Sequence, residues 1–160
     1  HHDTTWLMIR TLLDLDLKGK KVLDMGCGTG VLALAALKLD ASFVLAIDIE
    51  VGAYENTKEN AALNGCENEN RLSVKCGDVA LLKQHHHHDV ILANINRNIL
   101  LQDLESYDQV LNVGGNIALS GFFTGDVPVL QEAIQKLGWE CLNVAESDGW
   151  ACILCGKTQK

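Results

Sequence analysis

Two periods of hydrophobic residues alternate along the chain. "KVLDM" (21–25), "FVLAIDI" (43–49), "RLSVKCGD" (71–78) and "DVILAN" (89–94) are short apolar or β-branched runs with the length of buried strands. Between them the spacing turns helical. "VLALAALKL" follows from Val31, a second stretch runs from about Ala53 to Leu63 before Asn64 and Gly65, and Leu100, Leu104 and Val110 lead to Gly114 and Gly115. Ahead of the first strand, Leu7, Met8, Leu12, Leu13 and Leu15 follow a three-to-four spacing, which predicts a helix capped by Thr4 and Thr5 and ending near Gly19.

After the strand "NIALSG", Pro128 marks the first turn of a last helix running to about Leu137. "WECLNVAES" and "GWACILCG" then read as two strands joined only by the short turn at Asp148 and Gly149. So short a connection makes an antiparallel hairpin, because parallel neighbours need a long crossover. The pattern predicts an α/β fold: a seven-stranded, mostly parallel sheet with helices on both faces and an antiparallel strand near one edge.

Composition narrows the class. With 160 residues and 48% hydrophobic content the chain is one domain with a substantial core, and a single proline and no repeat or low-complexity tract leave no internal linker. A formal net charge of -8 argues against neutralising nucleic-acid phosphates and suits a cationic or basic-protein partner, or simple solubility. No run reaches the roughly 18 apolar residues of a membrane span, and no signal peptide is visible.

Neither the cysteines nor the histidine run predicts a metal site. The six cysteines contain one CxxC, "CILC" at 152–155, inside a strand-like run where residues three apart point to opposite faces, so the sulfurs do not converge. Cysteines in apolar runs point to a reducing compartment and a cytoplasmic protein. "HHHH" at 85–88 falls in a predicted loop before the fourth strand and lacks the companion spacing of a metal motif.

The chemistry-bearing residues gather at predicted strand ends. In open α/β sheets ligands bind outside the carboxyl ends of the strands, where the strand order reverses. Gly26, Gly28 and Gly30 occupy that place after the first strand, allowing either a close approach of ligand to backbone or a plain strand-to-helix turn. A dinucleotide fingerprint fails, because Val31 stands where its third glycine belongs; what remains is Asp24-x-Gly26-x-Gly28-x-Gly30.

Asp48, ending the second strand, is placed to accept both hydroxyls of a ribose or to serve the following helix as an N-terminal charge or cap. Asp78 fits an adenine amino group or a Gly-Asp turn equally. Asn94 and Asn96 end the fourth strand beside the same crevice. An asparagine carbonyl that accepts from an amine orients the nitrogen lone pair, as alkyl transfer to nitrogen requires. Asn96 reads more simply as a helix cap, which leaves Asn94 as the candidate for amine orientation.

With "LDMGCGTG", "AIDIE", "ENAALNG", "ILANINRNIL", "LSGFF" and "DGW" in this order, essentially the whole chain resembles class I S-adenosylmethionine-dependent methyltransferases. Within them it resembles the bacterial ribosomal protein L11 methyltransferase family. The glycine motif marks only the class; "HHDTT" together with "ANIN" and "LSG" is more specific to the family. The resemblance implies a three-layer Rossmann-like fold with strand order 3-2-1-4-5-7-6 and strand seven antiparallel. It implies S-adenosyl-L-methionine as donor and methylation of amino groups, lysine side chains or the α-amine, on a ribosomal protein.

It also places Thr5 on the donor, Gly26 at its methionine part, Asp48 at its ribose and Asn94 at the methyl-transfer centre. Two family features, a Gly-Thr-Gly before the histidine and an N-terminal domain that recognises the protein substrate, fall outside the sequence, so the expectation is the catalytic domain alone. A further departure is His88, where the family has an apolar or aromatic residue. The competing expectations are a methyltransferase for a nucleic-acid base or small-molecule amine, and a donor-binding module without transfer activity of its own.

Overall fold

The computed structural model describes residues 2–159. Seven strands form one sheet: β1 (Lys21–Met25), β2 (Phe43–Asp48), β3 (Leu72–Cys76), β4 (His88–Asn94), β5 (Leu111–Phe123), β6 (Trp139–Ser147) and β7 (Trp150–Lys157). Their order is β3-β2-β1-β4-β5-β7-β6, with β7 antiparallel to both of its neighbours and every other pairing parallel. The fold class, strand order and closing hairpin expected from the sequence are therefore present. The chain steps outward from β1 to β3 and returns to place β4 on the other side of β1, so the strand order reverses between β1 and β4. A crevice opens there at the carboxyl ends.

Helices α1 (His2–Leu13), α2 (Val31–Lys38) and α3 (Val51–Leu63) cover one face; α4 (Arg97–Val110) and α5 (Val127–Lys136) cover the other. Strand alternation divides the core between them. Val22 joins Leu7, Met8, Leu12, Ala33 and Val44, whereas Leu23 joins Leu100, Leu104, Tyr107 and Ile134 across the sheet. Cys152 and Cys155 fall into different halves of this core, as their spacing in a strand predicts. No helix among the described residues is long and apolar enough to cross a membrane.

Four local expectations need correction. Helix α1 already includes His2, so Thr4 and Thr5 lie within it rather than at its cap. It stops at Leu13 instead of near Gly19, because Asp16 draws the Lys18 amide into a local turn at 3.1 Å and Gly19 adopts φ 73°. An unanticipated 3₁₀ turn occupies 79–84.

The Gly114–Gly115 pair lies inside β5 as a bulge. The ladder passes from His88↔Leu111 to Val90↔Asn116, and a Cβ on Gly115 would stand 2.7 Å from the Asp89 carbonyl oxygen. The tetrahistidine is not all loop: His88 opens β4 and is fully buried, its Nε2 donating to the His85 carbonyl oxygen at 2.9 Å. Burial lowers the His88 pKa from 6.5 to about 4, so the ring is neutral at physiological pH.

Candidate functional site

The glycine turn after β1 is assembled from three glycines that do different work. All three have φ between 56° and 86°. A Cβ on Gly26 would sit 2.9 Å from Ile95 Cγ1, and one on Gly30 would sit 2.8 Å from Thr57 Cγ2. Gly28 meets nothing within 4 Å. Two glycines thus admit close packing of the protein against itself, and only Gly28 faces open space.

The tip of β4 is held by the same economy of side chains. Ile95 is packed between Gly26 and Gly121, where an added Cβ would stand 2.6 Å from the Ile95 carbonyl oxygen. Its amide also donates to the Ser120 carbonyl at 2.9 Å. Asn94 is thereby fixed beside the glycine turn, half-buried, and its side chain makes no hydrogen bond among the described residues. Asn96 accepts the Ile99 amide at 3.1 Å and caps α4. The helix-cap reading of Asn96 is realised.

Asp48 ends β2 with both oxygens engaged: Oδ2 accepts the Gly28 amide at 2.9 Å and Oδ1 the Glu50 amide at 3.0 Å. Each carboxylate oxygen retains a lone pair for a ligand donor. Asp78 caps the 3₁₀ turn by accepting the Ala80 amide at 2.9 Å through Oδ1 alone. The turn-forming reading of Asp78 is realised, and its second oxygen remains available.

Asp24 lies one residue before the end of β1, on the α1–α3 side of the sheet, 1% exposed and with neither oxygen hydrogen-bonded. Desolvation raises its pKa from 3.8 to about 7; the Ala33 amide in the first turn of α2 opposes the shift and the charge of Asp48 adds to it. A carboxyl buried without a counter-charge needs a cationic neighbour to ionise fully.

Gly26, Asp48, Asp78 and Asn94 line one crevice of about 280 Å³, together with Ile49 and Ile99. Larger depressions exist, one of about 440 Å³ along the outer edge of β3, but that one is lined by Lys58, Glu67 and Glu69 and includes no strand tip or glycine turn. Of the remaining sequence candidates, Asp24, Gly28 and Gly30 do not line it, although Gly28 is tied to its wall through the bond to Asp48 at 2.9 Å. Thr5 does not line it. Its helix begins at the same end of the sheet, where the Ser147 hydroxyl donates to Asp3 at 3.3 Å.

Sequence reasoning missed Asp103, which lines the crevice from α4 one turn beyond Ile99. Burial and the charge of Asp78 both raise its pKa. Its i, i+4 spacing puts it on the same helix face as Ile99, but nothing in the sequence marks that face as the one turned to the crevice. Among the described residues no group of three or more His, Cys, Asp or Glu side chains is arranged to hold a metal ion.

The family model for ribosomal protein L11 methyltransferase matches residues 1–158. A ribosomal protein L11 methyltransferase of Porphyromonas gingivalis is 49% identical over 153 residues, covering 96% of this chain and 52% of its own length. One from Phocaeicola vulgatus is 46% identical, with coverages of 96% and 53%. The chain spans about half the length of the curated relatives it matches. The crystal structure of a ribosomal protein L11 methylase from Lactobacillus delbrueckii subsp. bulgaricus superposes with a TM-score of 0.92 at 30% identity, over 99% of this chain and 80% of that one.

Proposed function

The chain belongs to the ribosomal protein L11 methyltransferase family, and from that premise we propose that it binds S-adenosyl-L-methionine and transfers its methyl group to amines of a basic ribosomal protein. The acceptors are lysine side chains or the α-amine. The observation that carries this reading is one crevice at the carboxyl ends of β1–β4 where carboxyl groups and an unbonded asparagine amide converge.

The residues present fit a nucleoside carrying positive charge. Asp48 would take the ribose hydroxyls with its remaining lone pairs, and Asp78 would take the adenine amino group with its free oxygen. Gly26, which lines the crevice, would face the methionine part, and Gly28 next to it has nothing within 4 Å of an added Cβ. Thr5 is assigned to the donor by family resemblance. The donor, when bound, would supply a methyl group on a sulfonium: as an amine nitrogen bonds the methyl carbon the carbon–sulfur bond breaks, and the sulfur leaves as a neutral thioether.

Asn94 then accepts a hydrogen bond from the amine N–H through its side-chain carbonyl oxygen and turns the nitrogen lone pair toward the methyl carbon. A lysine amine, with an ordinary pKa of about 10.4, must first lose a proton, and water suffices for that. Orientation supplies much of the rate, since well-placed reactants gain roughly 7–11 kcal/mol over free ones. The negative crevice also draws a cationic acceptor toward Asn94.

Labelled donor incubated with ribosomal protein L11, and separately with RNA, tests the assignment. Label is expected on amines of the protein and not on RNA; label on RNA alone overturns the substrate class. Asn94→Ala is expected to bind donor within a few-fold of wild type and to abolish transfer. Unchanged turnover in that variant removes Asn94 from the mechanism.

A further inference from the structure

Helix α3 holds the glycine turn from behind. Thr57 is fully buried, and its hydroxyl donates to the Gly28 carbonyl oxygen at 3.0 Å. A carbonyl only accepts, so the single hydroxyl proton is committed there. The 3.3 Å contact between Thr57 Oγ1 and Cys27 Sγ must therefore run the other way, with the thiol donating. That thiol keeps its proton, because burial pushes its pKa up to about 12.

One turn further along α3, Asn60 Nδ2 donates to the Thr29 carbonyl oxygen at 2.8 Å. Thr57 and Asn60 are three residues apart and share a helix face. With the Thr57 methyl group filling the space that a side chain at position 30 would need, this face touches every residue from Cys27 to Gly30. On the opposite side Asp48 holds the Gly28 amide. Both peptide units flanking Gly28, the turn glycine with nothing within 4 Å of an added Cβ, are locked.

We infer that Thr57, seconded by Asn60, is a positioning residue for methyl-donor binding: its hydroxyl fixes the Gly28 carbonyl and so keeps the open backbone of the turn in its ligand-facing conformation. This rests on the crevice being the donor site. Valine at position 57 preserves the shape that packs against Gly30 but releases both bonds, leaving a glycine free to rotate its carbonyl. Serine keeps the hydroxyl and loses only the methyl group.

The test combines calorimetry of S-adenosylmethionine binding, normalised to the folded fraction, with methylation kinetics on ribosomal protein L11. Thr57→Val is expected to raise the donor Kd and KM about tenfold with kcat within twofold at saturating donor, and Thr57→Ser to stay within threefold of wild type. Wild-type affinity in Thr57→Val overturns the inference, as does an equal loss in both variants, which would trace the effect to the methyl group. Should Thr57→Val not fold, Asn60→Ala is expected to raise the donor KM severalfold at unchanged kcat, and no change there overturns it. A wild-type protein that binds no donor defeats the functional reading and this inference with it, whereas donor binding indifferent to position 57 defeats the inference alone.

Discussion

At the scale of single residues, Asp24 makes the sharpest commitment. Folding raises its pKa from 3.8 to about 7, so the folded chain retains a proton that the unfolded chain releases. The associated stability is whole below about pH 4 and is lost as pH rises through 7; at roughly 1.36 kcal/mol per pH unit it amounts to about 4 kcal/mol. Thermal melts at pH 4 and pH 8 should show Asp24→Asn gaining about that much on wild type across the interval, while its donor affinity falls. A stability difference between the two proteins that does not change with pH contradicts the assignment. Function here opposes stability, the expected trade where a charge-bearing site is built before its ligand arrives.

Residue roles were legible in the sequence where they are local. Asn96 caps the helix that starts beside it, and Asp78 bonds an amide two residues on; both follow from chain-neighbour geometry. Thr57 and Asp103 were not legible, because each acts across a tertiary contact: Thr57 on a turn 29 residues earlier, Asp103 on a crevice floored by other elements.

At the scale of elements, β1 matched its hydrophobic run residue for residue and β2 and β4 fell within one residue of theirs, since central parallel strands are buried on both faces and show as unbroken apolar stretches; β3, the partly buried edge strand, fell within two. The start of β4 departed, drawn one residue back to His88. The histidine pKa falls from 6.5 to about 4 on folding, so an unfolded chain gains a proton first as pH drops. Stability is intact above about pH 6.5 and lost toward pH 4, by up to about 3 kcal/mol. Asp24 titrates alike in wild type and His88→Phe, so the difference between them isolates the histidine: urea unfolding at pH 7.5 and pH 4.5 should show wild type losing about that much stability relative to His88→Phe on acidification. A difference between the two proteins that does not change with pH contradicts it.

The junction of α4 and β5 shows why that boundary was misread. No loop separates them; instead the largely buried Lys157 ammonium donates to the Asp108 carbonyl at 2.6 Å and the Leu111 carbonyl at 3.0 Å. A lysine 46 residues away replaces the turn that the glycine pair suggested. Lys157→Met strands both carbonyls and should lower stability by about 2–3 kcal/mol, read from the denaturant midpoint. A change within 0.5 kcal/mol, roughly the effect of an ordinary surface substitution, contradicts that role.

For the molecule as a whole, the topology was readable because alternation of strand and helix leaves few right-handed arrangements, and the short 148–149 turn sets the antiparallel strand. Topology then locates chemistry: the tips of β1, β2 and β4, distant in sequence, meet at the reversal of strand order. What it does not supply is the second layer, in which α3 and Ile95 fix those tips. A calorimetric titration of S-adenosylmethionine into wild type, Asp48→Asn and His88→Phe tests most directly whether this crevice is the donor site. One site is expected, about tenfold weaker in Asp48→Asn, which loses a charged acceptor, and unchanged in His88→Phe at the opposite end of β4. No binding by wild type, or equal affinity in wild type and Asp48→Asn, contradicts it.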